Sequence, residues 1–194
     1  MNLVLRYAQV KHSQNIYRDY YRSGLRVGYR PLAEEGITES KIYKLPFRPR
    51  RILSAGSRAC LQTATIFGER YKLEPQTHPS LLNIKHDLTK LVTESDFQLK
   101  EGVEKLRRNF IRDLYNDNLA EKKTTILWRM AALKQILDCE ADTLVITHGL
   151  VLIVFRLYLL EGIKILAKSG KLVNYSNPFF GPLLGYAYPE MEEF

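Results

Sequence analysis

The residues that could carry chemistry in this chain stand where short apolar runs end. His148 and Gly149 follow the run 144–146 and precede an apolar stretch over 150–160. The β-branched run predicts a strand buried on both faces, and the longer stretch predicts a helix. Ligands of open α/β sheets bind at the carboxyl ends of strands, where helix N-termini bind anions. His148 is therefore predicted to contact a phosphate group; the alternative is a histidine packed into the core at a strand end.

Two other apolar runs end in the same way. Arg6 and Tyr7 close the first run of the chain, and Arg58 begins a helix predicted after the strand 51–54. Parallel strands present their carboxyl ends at one edge of a sheet. We therefore expect Arg6, Tyr7, Arg58 and His148 to converge on one crevice. If Arg58 were exposed to bulk solvent, the predicted phosphate clamp would be broken, which would count against phosphate binding as a whole.

Strands and helices alternate along the chain, which predicts an α/β fold. We expect a three-layer α/β/α sandwich with a mostly parallel central sheet, formed by a single domain over residues 1–194. The strands near Leu3–Leu5, Ile52–Ser54 and Leu144–Thr147 should lie at its centre, because their apolar runs are too continuous for burial on one face only. Helices are predicted over 31–43, 58–71, 97–115 and 123–137, and a last strand over 183–188.

Composition indicates a folded protein with acidic partners. Hydrophobic residues make up 45% and charged residues 26% of the 194 residues, which is globular rather than disordered composition. The formal net charge of +8 favours phosphorylated metabolites, nucleic acid or anionic surfaces as partners.

The cysteines and the apolar segments predict the cellular compartment. Cys60 and Cys139 have no CxxC or metal-ligand spacing, so we expect reduced, buried thiols, no metal and no cofactor. The apolar run over 1–5 is too short for a signal peptide, and the segment over 150–160 is interrupted by Arg156 and too short to span a bilayer. We expect a soluble cytoplasmic protein without a membrane partner.

Four segments, in this order and spacing, resemble motifs of the histidine phosphatase superfamily, which has the phosphoglycerate mutase-like fold. The first resembles a strand ending in Arg-His-Gly or Arg-His-Ala, the second Arg-Pro-Leu-Thr-Glu-Glu-Gly, the third Ser-x-x-x-Arg-Ala-x-Gln-Thr-Ala and the fourth Val-x-x-His-Gly. In this chain they are Leu5 to Ala8 (LRYA), Arg30 to Gly36 (RPLAEEG), Ser54 to Ala64 (SAGSRACLQTA) and Val145 to Gly149 (VITHG).

The resemblance implies a role for each matching position. In the family, the histidine after the first arginine is the nucleophile and becomes a phosphohistidine, while a glutamate protonates the leaving group. By resemblance, Arg6, Arg58 and His148 would bind the phosphoryl oxygens, with Gly149 beside them at the start of the helix.

The sequence departs from the family at the nucleophile, which is replaced by Tyr7. A phenol has an unperturbed pKa of about 10, so it is mostly protonated at neutral pH and a poor nucleophile. It is also longer than imidazole, and its hydroxyl would extend into the volume of the phosphoryl group.

Two more departures concern the acid and the second arginine. The resemblance aligns Asn83 or Ile84 with the family's glutamate, and Asp87 and His86 are the nearest titratable residues. The third motif also has one extra residue between Arg58 and the Gln-Thr pair, so Arg58 could be rotated away from the usual position. The phosphohistidine mechanism cannot operate without its nucleophile and acid.

These departures favour a pseudoenzyme that retains an anion pocket and binds a phosphorylated small molecule or a phosphoprotein. One alternative is an active phosphatase or mutase with a rebuilt site, in which Tyr7 is activated by neighbouring cations or His12 or His86 replaces a missing group. Another alternative is a nucleic-acid-binding module, because residues 17–30 mix tyrosines with arginines and residues 44–51 (KLPFRPRR) are basic. An ordinary solvated basic surface explains the same charges.

Overall fold

The computed structural model describes residues 2–11, 29–98, 102–167 and 185–188. Within these residues the sheet has five strands in the order β3-β2-β4-β1-β5. The four strands from β3 to β1 are parallel, and β5 is antiparallel to β1. The strands are β1 (Asn2–Arg6), β2 (Arg51–Ser54), β3 (Gln76–Thr77), β4 (Thr143–Thr147) and β5 (Gly185–Tyr188).

Helices cover both faces of this sheet and complete a three-layer α/β/α sandwich, as predicted. All five residues of β4 are buried, and so are the first four of β1, which requires cover on both sides of these strands. The α-helices of the described residues are α1 (Glu34–Ile42), α2 (Arg58–Tyr71), α3 (Leu88–Leu91), α4 (Gly102–Tyr115), α5 (Lys123–Cys139) and α6 (Gly149–Glu161). Short 3₁₀ helices span Pro79–Leu81, Glu94–Gln98 and Gly162–Ala167.

The predicted centre of the sheet is confirmed. β4 pairs with β1 on one side and with β2 on the other, so the three apolar runs lie next to one another. The bounds of β2 and α2 agree with the prediction, because an apolar run, a small polar turn and a helical pattern follow each other without ambiguity.

Two helix starts and one cysteine differ from the prediction. The helix expected from residue 31 begins at Glu34, because Leu32 forms an antiparallel bridge with Val10. The helix expected from residue 97 begins at Gly102, after a 3₁₀ helix. Cys60 is buried as predicted, but Cys139 is exposed because it is the last residue of α5 and lies at the edge of the fold.

Long-range contacts join three of the segments whose sequences resemble family motifs. The Gln62 side chain accepts a hydrogen bond from the Leu32 N–H at 2.9 Å, and Thr63 Oγ1 accepts one from the Ala8 N–H at 3.1 Å. Gly36 lies directly against Gln9, since a Cβ at position 36 would stand 2.2 Å from the Gln9 carbonyl oxygen. The third motif therefore fixes the residues that follow β1.

Buried Asn2 closes the opposite end of the sheet. Its amide nitrogen donates to the carbonyls of Leu137 at 2.6 Å and Glu140 at 2.8 Å, and its side-chain oxygen accepts from the Thr143 N–H at 2.8 Å. One side chain thus satisfies three backbone groups in the turn between α5 and β4. None of the helices in the described ranges is long and apolar enough to cross a membrane.

Candidate functional site

The candidate site lies at the carboxyl ends of β1, β4 and β2. Backbone hydrogen bonds continue the pairing one residue past the strands, from the Tyr7 N–H to the Thr147 oxygen at 3.1 Å and from the Ala55 N–H to the Ile146 oxygen at 2.9 Å. Tyr7, His148 and the turn 55–57 are therefore neighbours on one edge of the sheet. The sequence analysis predicted this convergence because parallel strands present their carboxyl ends at one edge of a sheet.

Tyr7 and His148 are in contact at the centre of this edge. Their ring centroids are 5.5 Å apart and the ring planes meet at 76°, an edge-to-face arrangement. Tyr7 is 6% exposed and His148 is 6% exposed. The guanidinium carbon of Arg6 lies 5.3 Å from the centre of the Tyr7 ring, within the range of a cation–π interaction.

Arg6 also lies against the N-terminus of α6. A Cβ at Gly149 would stand 3.6 Å from Arg6 Cδ and 3.9 Å from Arg6 Nε, so the arginine side chain passes over this glycine. His148 is the N-cap of α6, and its side chain makes no capping hydrogen bond. Arg6 therefore lies beside a helix N-terminus whose first N–H groups are not capped by the N-cap side chain. A positive charge next to such N–H groups is an arrangement that can bind an anion.

The N-terminus of α2 is the second helix start at this edge. Its N-cap is Ser57, which also makes no capping hydrogen bond. Ser57 is 5% exposed, and its Oγ has no hydrogen-bond partner. Sequence reasoning did not single out this serine, although a polar residue directly between a strand and a helix is the usual N-cap signal.

Arg58, the first residue of α2, is exposed. Gln62 and Thr63 anchor the helix through their contacts with residues 32 and 8, and the extra residue of this motif separates Arg58 from that anchor. One residue turns a helix by about 100°. In the motif that this segment resembles, the arginine stands three residues before the glutamine. The residue three before Gln62 in this chain is Ala59, which is fully buried.

Cys60 lies behind the site as an unreactive thiol. Burial raises the pKa of the Cys60 thiol to about 12, although the neighbouring Ser57 hydroxyl and the charge of Arg6 act in the opposite direction. A thiol with such a pKa carries almost no thiolate at neutral pH and is no nucleophile.

The segment expected to carry the acid is held beside β4 but has no carboxylate at the aligned positions. Thr147 Oγ1 donates to the Leu81 carbonyl at 2.9 Å, two residues before Asn83. Ile84 is fully buried in the hydrophobic core. Asn83 is half-buried, and its side-chain oxygen is buried without a hydrogen-bond partner.

Of the two nearest titratable residues, Asp87 does not have the raised pKa that a general acid requires. The Thr89 hydroxyl holds the pKa of the Asp87 carboxyl below its usual range, with a further contribution from the Thr89 N–H. Asp87 is exposed and serves as the N-cap of α3. His86 is half-buried, with Nδ1 2.8 Å from the Ile84 carbonyl oxygen and its ring edge-on to Phe110.

A largely buried ion pair fixes the position of this segment. Arg129 contacts Glu121 at 2.6 Å, and it donates to the carbonyls of Ser80 and Leu82. The other oxygen of Glu121 accepts from the Lys85 N–H at 3.0 Å. The loop that contains residues 80–85 is therefore bound to α5 through Arg129.

The basic segments of the alternative hypothesis are only partly described. Residues 12–28, with His12 and most of the tyrosine–arginine segment, lie outside the described residues. In the basic segment 44–51, Arg50 pairs with Asp142 at 3.4 Å and Arg51 pairs with Glu140.

In the described part of the chain, no group of three or more His, Cys, Asp or Glu residues could hold a metal ion.

Comparison with solved structures identifies the architecture. A mycobacterial glucosyl-3-phosphoglycerate phosphatase in complex with inorganic phosphate matches with a TM-score of 0.54 and 17% identity, over 95% of this chain and 88% of that chain. An Escherichia coli protein described as an alpha-ribazole-5'-P phosphatase matches with a TM-score of 0.54 and 15% identity, over 100% of this chain and 93% of that chain. A Thermus thermophilus protein matches with a TM-score of 0.54 and 19% identity, over 97% and 94% of the two chains.

The fold is phosphoglycerate mutase-like. At 15–19% identity, the likeness to these neighbours shows a shared fold. No protein-family model matches the sequence, and a search of curated proteins gives no significant match. At such identities the phosphoglycerate mutase-like fold is shared, while the chemistry depends on the residues at the carboxyl edge of the sheet.

Proposed function

We propose that this chain is a degenerate member of the histidine phosphatase superfamily that binds a phosphoryl group without hydrolysing it. The ligand is a phosphorylated small molecule or a phosphorylated protein side chain. The observation that carries this proposal is the buried Tyr7 ring, packed edge-on against His148 where the family has its nucleophilic histidine.

Tyr7 supports the loss of hydrolysis for two physical reasons. A protonated phenol oxygen is a weaker nucleophile than the imidazole nitrogen that it replaces. The ring is also longer than imidazole and reaches into the space that a phosphoryl group would need for in-line attack.

The missing acid supports the same conclusion. Ile84 is part of the core, and Asn83 has an amide that cannot donate a proton to a leaving group. Asp87 is held as a carboxylate by Thr89, which is the opposite of the raised pKa that a general acid requires.

The retained anion pocket is supported by charge and by backbone dipoles. Arg6 supplies a cation over the start of α6, and the N-termini of α6 and α2 meet at the ends of adjacent strands. His148 would complete the contacts with the phosphoryl oxygens. Arg58 is exposed at the start of α2 and would contribute from the rim of the pocket.

Calorimetry with inorganic phosphate tests the binding function. Wild-type protein should bind phosphate, and Arg6→Gln should weaken binding roughly 10- to 100-fold, as expected for loss of one charge-assisted contact. Arg50→Gln is the matched control, because it removes the same charge at the amino end of β2, beside Asp142. A similar loss in both variants would indicate a general charge effect and contradict the pocket.

Hydrolysis of an aryl phosphate and an alkyl phosphate tests the absence of turnover. The expected result is no hydrolysis above that of the Arg6→Gln variant. Robust wild-type hydrolysis that disappears in Tyr7→Phe would overturn the proposal and make the phenol the nucleophile of an active phosphatase. Hydrolysis that survives Tyr7→Phe but disappears in His148→Ala would point to a different rebuilt site.

A further inference from the structure

Ser57 is a buried hydroxyl that the fold itself does not use. It is 5% exposed, its Oγ has no hydrogen-bond partner, and it does not cap the 14-residue helix that it precedes. Buried polar side chains in folded proteins nearly always have a partner, so an exception needs an explanation. N-cap serines ordinarily bond to the N–H groups of their own helix.

The surroundings of Ser57 belong to the anion pocket. Ala55 bonds to the end of β4 at 2.9 Å, so the turn 55–57 lies beside the strand that leads to His148 and Gly149. The polar neighbour of the Ser57 hydroxyl is the buried Cys60 thiol, whose pKa it lowers against the larger effect of burial. Ser57 therefore lies at the start of α2, on the same edge of the sheet as Tyr7 and His148.

We propose that Ser57 is a phosphoryl-binding residue, donating its Oγ–H to a ligand oxygen next to Arg6 in the position from which Arg58 is displaced. This inference rests on the proposed binding function. The uncapped N–H groups in the first turn of α2 would bind the same oxygen or its neighbour. A neutral hydroxyl thereby replaces a guanidinium at this end of the pocket.

The displacement of Arg58 follows from the register of α2. Gln62 and Thr63 are held by the backbone at residues 32 and 8, so the helix cannot rotate to return Arg58 without breaking these two hydrogen bonds. Ala59 has no polar atom in its side chain to take over the contact. Ser57 has a buried side chain at this helix start, and its Oγ makes no hydrogen bond of ordinary geometry, because its polar neighbour is the weakly accepting Cys60 thiol.

Phosphate titration of Ser57→Ala, with Ser54→Ala as the matched control, tests the inference. Ser54 is also a buried serine at the end of β2, but its hydroxyl already donates to the Ala55 carbonyl at 2.9 Å. Ser57→Ala should lower phosphate affinity roughly tenfold, as for the loss of one hydrogen bond to a charged group. Ser54→Ala should stay within about threefold of the wild type.

The melting temperature without phosphate separates binding from a structural role. Ser57→Ala should leave this temperature unchanged or raise it, because the substitution removes an unpaired buried hydroxyl. Ser54→Ala should lower it. A lowered melting temperature in Ser57→Ala, or wild-type phosphate affinity in that variant, would overturn the inference while leaving the proposed function intact. Absence of phosphate binding by the wild type would overturn both.

Discussion

Tyr7 and His148 are edge-to-face neighbours with ring centroids 5.5 Å apart, at the ends of two strands that pair directly. Arg6 and Thr147 are the last paired residues of β1 and β4, so the two rings extend the same register by one residue. Tyr7, which the first motif aligns with the nucleophile of the family it resembles, is thus packed against His148. Under the proposed binding function, a change in either ring would alter the space available to a phosphoryl group.

Replacing Tyr7 with histidine should produce at most slow turnover. The shorter side chain opens the phosphoryl volume and supplies a nitrogen that is neutral near pH 7. The acid remains absent, and its usual contribution to rate is about 10² to 10⁴. We therefore expect Tyr7→His to hydrolyse an aryl phosphate, whose leaving group needs little protonation, and to leave an alkyl phosphate intact.

Adding a carboxyl group to the Tyr7→His protein extends this prediction. Asn83→Glu is the suitable substitution, because Ile84 is fully buried and a glutamate there would bury a charge in the core. The double variant should gain more on the alkyl than on the aryl phosphate. Equal gains on both substrates would show that the new carboxyl group does not protonate the leaving group.

Gly36 should not tolerate a side chain. A Cβ there would stand 2.2 Å from the Gln9 carbonyl oxygen and 2.8 Å from the Gln9 nitrogen, and backbone atoms cannot move aside easily. We expect Gly36→Ala to lower the free energy of unfolding in urea by about 1 to 3 kcal/mol. Gly56→Ala is the control, since a Cβ there meets nothing within 4 Å. Equal stability of the two variants would contradict the packing of α1 on the segment after β1.

Asn2 should be essential for the turn between α5 and β4. Asn2→Ala would leave the carbonyls of Leu137 and Glu140 and the Thr143 N–H without their side-chain partner. We expect a loss of roughly 2 to 4 kcal/mol in the free energy of unfolding. Exposed Asn118 is the matched control, and its replacement by alanine should change the free energy by less than about 0.5 kcal/mol.

The contact of Asp96 with Lys105 should make the free energy of unfolding depend on pH. Lys105, together with Thr93, lowers the pKa of this carboxyl to about 2. Because the folded pKa lies below the unfolded value of about 3.9, the stabilisation is complete above that pH and is lost as pH falls through about 2. Wild-type and Asp96→Asn proteins should therefore differ most in urea unfolding at pH 5 and least near pH 2. A difference that stays constant from pH 5 to pH 2 would contradict this assignment.

Local pattern was sufficient to predict the sheet and part of the site. The apolar runs that form β1, β2 and β4, each followed by polar or small residues, set both the strands and the edge at which they end. Arg6, Tyr7 and His148 come together because parallel neighbouring strands bring the residues that follow them to one edge. These features depend on neighbours in the sequence, which periodicity and turn signals report directly.

The tertiary structure decided which side chains at that edge face inward. The rotation of α2 about its axis depends on the hydrogen bonds that Gln62 and Thr63 accept from the N–H groups of residues 32 and 8. Helical periodicity contains no information about such distant partners. That rotation leaves Arg58 exposed and Ser57 buried with a free hydroxyl. Leu32 is held in a bridge rather than in a helix for the same reason, because a contact with a distant segment outweighs local helix propensity.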